Sequence, residues 1–247
     1  MNRIALITGV SQGIGKAIAL TLAGDGYDLI LCYRRHKSAA SSIAGQVRKL
    51  GQKAHLLPSD ISSPRKLSRL FIRVRKITPR LNLLVNNAGL DYRYLLEDYK
   101  LDQIREVLDS NLFGTIATTK LALPFLKSGS NSSVINISSR MGGPTTIPTV
   151  SAYAPAKAGI IKFTQCAALE LAKYRIRVNC ISPGMTDTPL ARSTYTKSEF
   201  KLAASSNPRG RICQPQDVAN LISFLASPQA EYINGENILL TGGSHLN

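Results

Sequence analysis

Tyr153 and Lys157 stand four residues apart in the stretch Val150-Ser151-Ala152-Tyr153-Ala154-Pro155-Ala156-Lys157. That spacing places both side chains on one face of a helix. A phenol titrates near about 10, too high to serve as an acid or base at neutral pH. A lysine ammonium beside it favours the phenolate and draws that pKa toward the working range. Pro155 falls within the first helical turn, where the missing N–H has no partner to lose. A tyrosine and a lysine so spaced also describe any amphipathic helix. Their chemical meaning comes from a nucleotide site ahead of them and a serine hydroxyl just before.

The chain opens on Met1-Asn2-Arg3-Ile4-Ala5-Leu6-Ile7, an apolar run that predicts a buried strand. Thr8-Gly9-Val10-Ser11-Gln12-Gly13-Ile14-Gly15 comes next, then a helical pattern over residues 16–23. Strand, glycine-rich turn and helix in that order make the opening unit of a dinucleotide fold. The glycines permit a tight turn and close approach to pyrophosphate, and the helix N-terminus offers free N–H groups to the anion. Gly9, Ser11, Gln12, Gly13, Ile14 and Gly15 are the expected contacts. The spacing T-G-x-x-x-G-x-G departs from G-x-G-x-x-G, so its place directly after the first strand carries the reading.

The elements that must position these residues alternate β and α throughout. Strands are expected at 28–33, 54–57, 81–85, 134–138, 177–182 and 237–240. Helices are expected at 39–50, 64–76, 101–125, from 153 to about 174, and at 216–226. Several strands end in small polar residues: Asn86-Asn87-Ala88-Gly89, Ser138-Ser139 and Ser182-Pro183-Gly184. In an open parallel sheet ligands bind outside the carboxyl ends of the strands, so these residues collect at one edge. Residues 185–211, the least regular stretch, are expected to form a mobile cover over the substrate. No repeat or linker divides the chain. A single domain over 1–247 is expected, with 1–90 mainly its cofactor half.

Thr8-Gly9-x-x-x-Gly13-x-Gly15, Asp60, Asn86-Asn87-Ala88-Gly89, Asn111, Ser139, Tyr153, Lys157 and Pro183-Gly184 occur in the order and near the spacing of the short-chain dehydrogenases/reductases. Arg209-Gly210-Arg211, Pro215, Asp217-Val218-Ala219 and Gly242-Gly243 resemble that family's C-terminal third. The resemblance runs from end to end, and within the family the chain is most similar to 3-oxoacyl-acyl-carrier-protein reductases. It implies an α/β fold with a doubly wound, mostly parallel, Rossmann-like sheet in one domain. It also implies a role for each matching residue. Tyr153 exchanges a proton with the substrate oxygen, while Lys157 lowers its pKa and holds the nicotinamide ribose. Ser139 hydrogen-bonds the oxygen where negative charge grows, and Asn111 holds a water joining Lys157 to solvent. Ser138 is the rival serine. The gap to Tyr153 is one residue longer than the family's from Ser139 and two longer from Ser138, and an extra residue in the Gly142-Gly143-Pro144 loop explains the shorter excess. Asp60 and Ile61 are expected at the adenine, Asn87, Ala88 and Gly89 along the adenosine, and Pro183, Gly184, Thr186 and Thr188 at the nicotinamide.

Cofactor choice depends on the residues just past the second strand. An acid there binds the ribose 2′-hydroxyl of NAD, whereas arginine accommodates the 2′-phosphate of NADP. Cys32-Tyr33-Arg34-Arg35-His36-Lys37 holds no carboxylate. Paired guanidiniums grip a phosphate bidentately, so NADP(H) is favoured over NAD(H).

At 247 residues with 44% hydrophobic residues the chain can bury one large core. The start runs straight into the nucleotide-binding strand, and no membrane span is visible, so a cytoplasmic protein without a removable leader is expected. Cys32, Cys166, Cys180 and Cys213 lie far apart with no C-x-x-C, which argues for ordinary thiols and no metal site. The formal net charge of +16 is not required by oxidoreductase chemistry. Arg65, Lys66, Arg69, Arg73, Arg75, Lys76 and Arg80 cluster with no acid among them. Nucleic-acid binding would show such basicity, but there is no recognition-helix motif and no tryptophan. An acidic acyl carrier protein delivering an acyl thioester would also fit, with Lys173 and Arg175 near the mouth and Arg140, Arg192, Lys197 and Lys201 around the cover. A reductase of another small-molecule ketone or alcohol shares the pattern. The intact Asn111, Ser139, Tyr153 and Lys157 oppose a nucleotide-sensing protein that has lost catalysis. Helices with Ile116, Leu121, Phe163 and Leu169 on more than one face predict burial on both sides, and the family resemblance makes the second side a homotetramer contact.

Overall fold

Short apolar runs bounded by glycine and polar turns suit strands buried on both faces, the condition of a parallel sheet covered by helices. The computed structural model describes residues 3–246. Met1 and Asn2 of the expected first strand lie outside the described residues. The first half alternates strictly: β1 (Arg3–Thr8), α1 (Gly13–Gly24), β2 (Tyr27–Tyr33), α2 (Lys37–Lys49), β3 (Ala54–Pro58), α3 (Pro64–Ile77) and β4 (Leu83–Asn86). The second half runs α4 (Leu101–Leu108), α5 (Gly114–Lys127), β5 (Ser133–Ile137), α6 (Tyr153–Leu171) and β6 (Arg177–Pro183). It ends with α7 (Pro189–Thr194), α8 (Lys197–Ser205), α9 (Pro215–Ala226) and β7 (Asn237–Leu240).

The strands form one seven-stranded sheet in the order β3-β2-β1-β4-β5-β6-β7, and every pairing is parallel. This is the expected doubly wound architecture. Alternating residues of each strand feed two apolar layers. Ala5, Ile7, Leu29 and Leu31 pack against Ile18, Leu22, Ile43 and Ile222 of α1, α2 and α9. Leu6, Ile30, Leu84 and Val134 pack against Leu70, Phe125 and Ala168 of α3, α5 and α6. α3 shows the pattern most sharply. Leu67, Leu70, Phe71 and Val74 recur at the spacing of one helical face and are buried, while Arg65, Lys66, Arg69, Arg73, Arg75 and Lys76 are exposed.

Two expectations are corrected. The single helix over 101–125 is three pieces: α4, a five-residue π-helical turn at Asp109–Phe113, and α5. Residues 185–211 are not irregular either, because they hold α7 and α8. Thr188 caps α7 by accepting from the Ala191 N–H at 3.1 Å, with Pro189 at the first helical position. Thr196 and Glu199 form a reciprocal capping box on α8.

A hydrogen-bonded set of polar side chains crosses the second layer. Asn86 Nδ2 donates to Asn136 Oδ1 at 2.8 Å and Thr119 Oγ1 at 2.9 Å, and Asn136 Nδ2 donates to Thr164 Oγ1 at 2.9 Å. These bonds tie β4 and β5 to α5 and α6. Among the described residues, no helix is long and apolar enough to cross a membrane. Asn136→Leu leaves the Asn86 amide and Thr164 hydroxyl short of partners in a dry interior. Urea unfolding is expected to show a loss of about 2 kcal/mol or more, since each orphaned buried polar group costs about 1–3 kcal/mol; an unchanged midpoint would refute this.

Candidate active site

β1 lies between β2 and β4, so the connections leaving β1 and β4 diverge and open a crevice at their carboxyl ends. Thr8 Oγ1 accepts the N–H groups of Asn87 and Ala88, both at 3.0 Å. Asn87 Nδ2 donates to the carbonyls of Thr8 and Gly9 at 3.0 and 2.9 Å. The two strand ends are thereby stitched together beneath the glycine turn. A Cβ on Gly15 would fall 2.2 Å from the Gly9 carbonyl oxygen, and Gly9 holds φ +73° with a would-be Cβ 2.8 Å from Ala88 Cα. The turn thus packs on its own backbone and on the end of β4 too closely for side chains, and no side chain caps the N-terminus of α1, which leaves its N–H groups free for an anion. These features fit a dinucleotide.

One cleft of about 500 Å³ brings together every catalytic and cofactor-binding residue expected from the sequence. It is lined by Gly9, Ser11, Gln12, Gly13, Ile14 and Gly15, by Arg34, Arg35, Asp60 and Ile61, and by Asn87, Ala88 and Gly89. Asn111, Ser139, Tyr153, Lys157, Pro183, Gly184, Thr186 and Thr188 complete it. Asp60 accepts from the Ser62 N–H and hydroxyl at 3.2 and 2.6 Å and lies 3.8 Å from Lys66 Nζ. Burial raises its pKa, but the Ser62 bonds with Arg34 and Lys66 outweigh that and hold the carboxyl below its usual value. Thr186 Oγ1 donates to the Gly184 carbonyl at 3.0 Å, and the Thr188 hydroxyl caps α7, so the two threonine hydroxyls expected at the nicotinamide are already engaged.

The reactive end is built from β5, the π-helical turn and the first turns of α6. Lys157 is only 4% exposed, and its Nζ donates to the Ile137 carbonyl at 2.9 Å. Ser138 is buried and donates to the Lys157 carbonyl at 2.8 Å. Ser139 accepts from the Met141 N–H at 3.2 Å, and its hydroxyl lies near enough to Tyr153 to lower the phenol's pKa. The neighbouring serines therefore divide: Ser138 ties β5 to the α6 backbone, and Ser139 meets the phenol. Asn111 sits on the π-helical turn, a distortion common at functional sites. Its Nδ2 donates to the carbonyls of Leu90 and Val107 at 2.8 and 2.9 Å, while its buried Oδ1 has no partner.

Burial dominates the titration of these groups. It lowers Lys157 to about 8, against opposing pulls from Cys180 and Asp91. It pushes Tyr153 well above an ordinary phenol; the Asp91 carboxylate adds to this, and the Ser139 hydroxyl offsets part of it. The expected lowering of Tyr153 by Lys157 is absent here. The ammonium is committed to Ile137, 5.5 Å from the centre of the phenol ring. Tyr153 is accordingly a neutral phenol at physiological pH, a proton donor.

Two acids, one in the cleft and one beside it, had no sequence signal. Asp91 lies in the cleft, where burial raises its carboxyl to about 6 despite Arg93 and Lys157; it is the first acid after Asp60. Glu106 of α4 stands 3.5 Å from Arg34 and accepts from Tyr92 Oη at 2.7 Å. The strand end thus lacks an acid in sequence but faces one in space. Lys173 and Arg175 are corrected. They lie past the far end of α6, about 30 Å from Tyr153 at 1.5 Å per residue, beside the start of β6 and away from the cleft.

A family model described as enoyl-(acyl carrier protein) reductase matches residues 9–245. The chain is 33% identical over 248 residues to the 3-oxoacyl-[acyl-carrier-protein] reductase FabG of Staphylococcus aureus, covering 100% of this chain and 99% of that one. It is 33% identical over 242 residues to the 3-oxoacyl-[acyl-carrier-protein] reductase of Synechocystis sp., covering 98% and 96%. The crystal structure of a short chain dehydrogenase from Burkholderia cenocepacia in complex with NADP superposes with a TM-score of 0.92 at 30% identity, covering 98% of each chain.

Substituting the two serines separates their roles. Ser138→Ala should lower thermal stability, by about 1 kcal/mol for one hydrogen bond, and spare most nucleotide-dependent turnover. Ser139→Ala should keep the melting temperature and lose about two decades of turnover, the scale of one oxyanion donor. The reverse pattern would exchange the assignments.

Proposed function

The chain belongs to the short-chain dehydrogenase/reductase family, and from that premise we propose that it reduces a ketone with NADPH, the substrate being a 3-oxoacyl thioester. The observation that carries the reading is the gathering of Ser139 and Tyr153 beside buried Lys157 in the same cleft as the glycine turn. Both hydroxyls can turn onto one incoming carbonyl oxygen.

The glycine turn and the free N–H groups of α1 would hold the pyrophosphate, Arg34 and Arg35 the 2′-phosphate, and Lys157 the nicotinamide ribose. The Arg34–Glu106 pair is exposed and long, and such pairs contribute about 0–1 kcal/mol, so a phosphate dianion displaces it at little cost. NADPH supplies the hydride when bound. As charge grows on the substrate oxygen, Ser139 stabilises it and Tyr153 delivers its proton. The Lys157 ammonium supports the phenolate left behind, and the carbonyls holding Asn111 fix that side chain for a water between Lys157 and solvent.

The thioester rests on the names of the relatives and on the basic surface, with Arg140 in the cleft wall. A cytoplasmic homotetramer goes with this reading. Leu101 of α4, Phe113 of the π-helical turn, Ile116 of α5 and Leu169 of α6 are exposed apolar residues that a partner subunit would cover. Leu121 and Phe163 instead pack on the chain's own core.

The deciding assay compares NADPH with NADH on 3-oxoacyl thioesters, free and carrier-bound, and on simple ketones. Activity on simple ketones alone would remove the thioester and leave the reductase. Arg34→Ala with Arg35→Ala should raise the NADPH dissociation constant about 10- to 100-fold, the scale of charged hydrogen bonds, and leave NADH unchanged; equal effects on both cofactors would refute the 2′-phosphate role. Tyr153→Phe should lose at least about two decades of turnover with NADPH binding retained. Wild-type reduction should fall as pH rises through about 8, where Lys157 loses the charge that supports the phenolate; a rate flat to pH 10 would contradict that role.

A further inference from the structure

Among the described residues, Asp91 is the one carboxylate in the cleft that neither a helix cap nor an ion pair accounts for. It lies five residues past β4, beyond Asn87, Ala88, Gly89 and Leu90, and lines the same cleft as Ser139, Tyr153 and Lys157. Its Oδ1 is shut off from solvent and has no hydrogen-bond partner. A buried, unpartnered carboxylate oxygen costs several kcal/mol in desolvation unless something donates to it.

The surroundings hold this group in place. Tyr99 Oη donates to the Tyr92 carbonyl, fastening the segment after Asp91. Arg93 Nε donates to Thr149 Oγ1 at 3.2 Å, and its guanidinium lies 4.3 Å from the centre of the Tyr195 ring. Arg93 is thereby spent on Thr149 and Tyr195 and does not pair with Asp91. The charged and titratable groups that face Asp91 are Arg93 and Tyr99 from its own side, Tyr153 and Lys157 from α6, and Tyr195 from the cover.

We propose that Asp91 selects the substrate: its carboxylate, which lines the cleft and forms no ion pair, accepts from a hydroxyl or ammonium carried beside the reacting ketone, and its charge turns away substrates with a carboxylate there. This rests on the ketone-reductase reading but not on the thioester, since an unsubstituted 3-oxoacyl chain offers Asp91 no such donor. It adds a polar subsite of hydroxy- or aminoketone type to the catalytic end of the cleft. The selection holds while Asp91 is ionised and relaxes as pH falls through about 6.

The test uses butan-2-one, its 3-hydroxy and 3-amino derivatives, and 2-oxobutanoate, with the wild type and the near-isosteric Asp91→Asn. The wild type should favour the hydroxy and amino ketones over butan-2-one by about 10- to 100-fold in kcat/KM, the scale of a charged hydrogen bond, and should use the keto acid least. Asp91→Asn should collapse the preference for the amino ketone and improve use of the keto acid about tenfold or more, with butan-2-one and the NADPH dissociation constant changed by less than about threefold. Calorimetric binding of the same compounds to the NADP⁺-saturated protein repeats the comparison without turnover. Inactivity on every ketone with this binding pattern intact counts against the reductase reading alone. The same ranking and binding in wild type and Asp91→Asn would overturn the proposal.

Discussion

Everything at the reactive end depends on bringing an ammonium group out of water. Lys157 keeps only a carbonyl partner at Ile137, and the Ser138 hydroxyl fastens its backbone from the same strand. Two bonds, one from the last residue of β5 and one from its successor, thus fix the first turns of α6 against the sheet. Tyr153 and Ser139 inherit their positions from that attachment. The desolvation that draws the lysine toward about 8 is the same one that keeps the neighbouring phenol protonated. A site drier at this point would discharge the lysine, and a wetter one would leave the phenol an ordinary surface group.

Burial acts on both signs of charge here and separates roles that composition leaves equal. It raises Tyr153 and Asp91 and lowers Lys157, so three groups close together differ in how readily each gives up a proton. The π-helical turn contributes in another way. By breaking the regular ladder between α4 and α5 it lets Asn111 reach the Leu90 carbonyl while its Oδ1 faces inward. A regular helix over that stretch would satisfy its own carbonyls and carry the amide elsewhere.

The excess positive charge is a separate matter. On α3 the bases occupy the face opposite Leu67, Leu70, Phe71 and Val74, and apart from Lys66, which reaches Asp60 at the cleft, they face solvent. Within the cleft two charges are matched, Arg34 with Glu106 and Asp60 with Lys66 and the Ser62 donors. Charge steers encounters over roughly a Debye length of about 8–10 Å, and chemistry is decided at hydrogen-bond distance. The two therefore need not share a surface.

The local features of the chain were legible in its sequence because they obey short-range physics. The glycine turn after β1, the two-sided apolar strands, the one-faced pattern of α3 and the four-residue spacing of Tyr153 and Lys157 each obey a rule spanning a single helix turn or strand. They were enough for the α/β class, a parallel sheet and the gathering of the expected residues at one sheet edge. What the sequence left open was set by contacts between residues far apart in it. Ser138 and Ser139 are alike until Lys157 claims one of them. Arg34 meets Glu106 only because α4 folds back across the cleft, and Lys173 reads as near the site until α6 carries it about 30 Å away. Asp91 has no motif, and its character comes from losing water on every side. Spacing determines which side chains can share a face; only the packed fold determines how much water each one keeps, and that sets its charge.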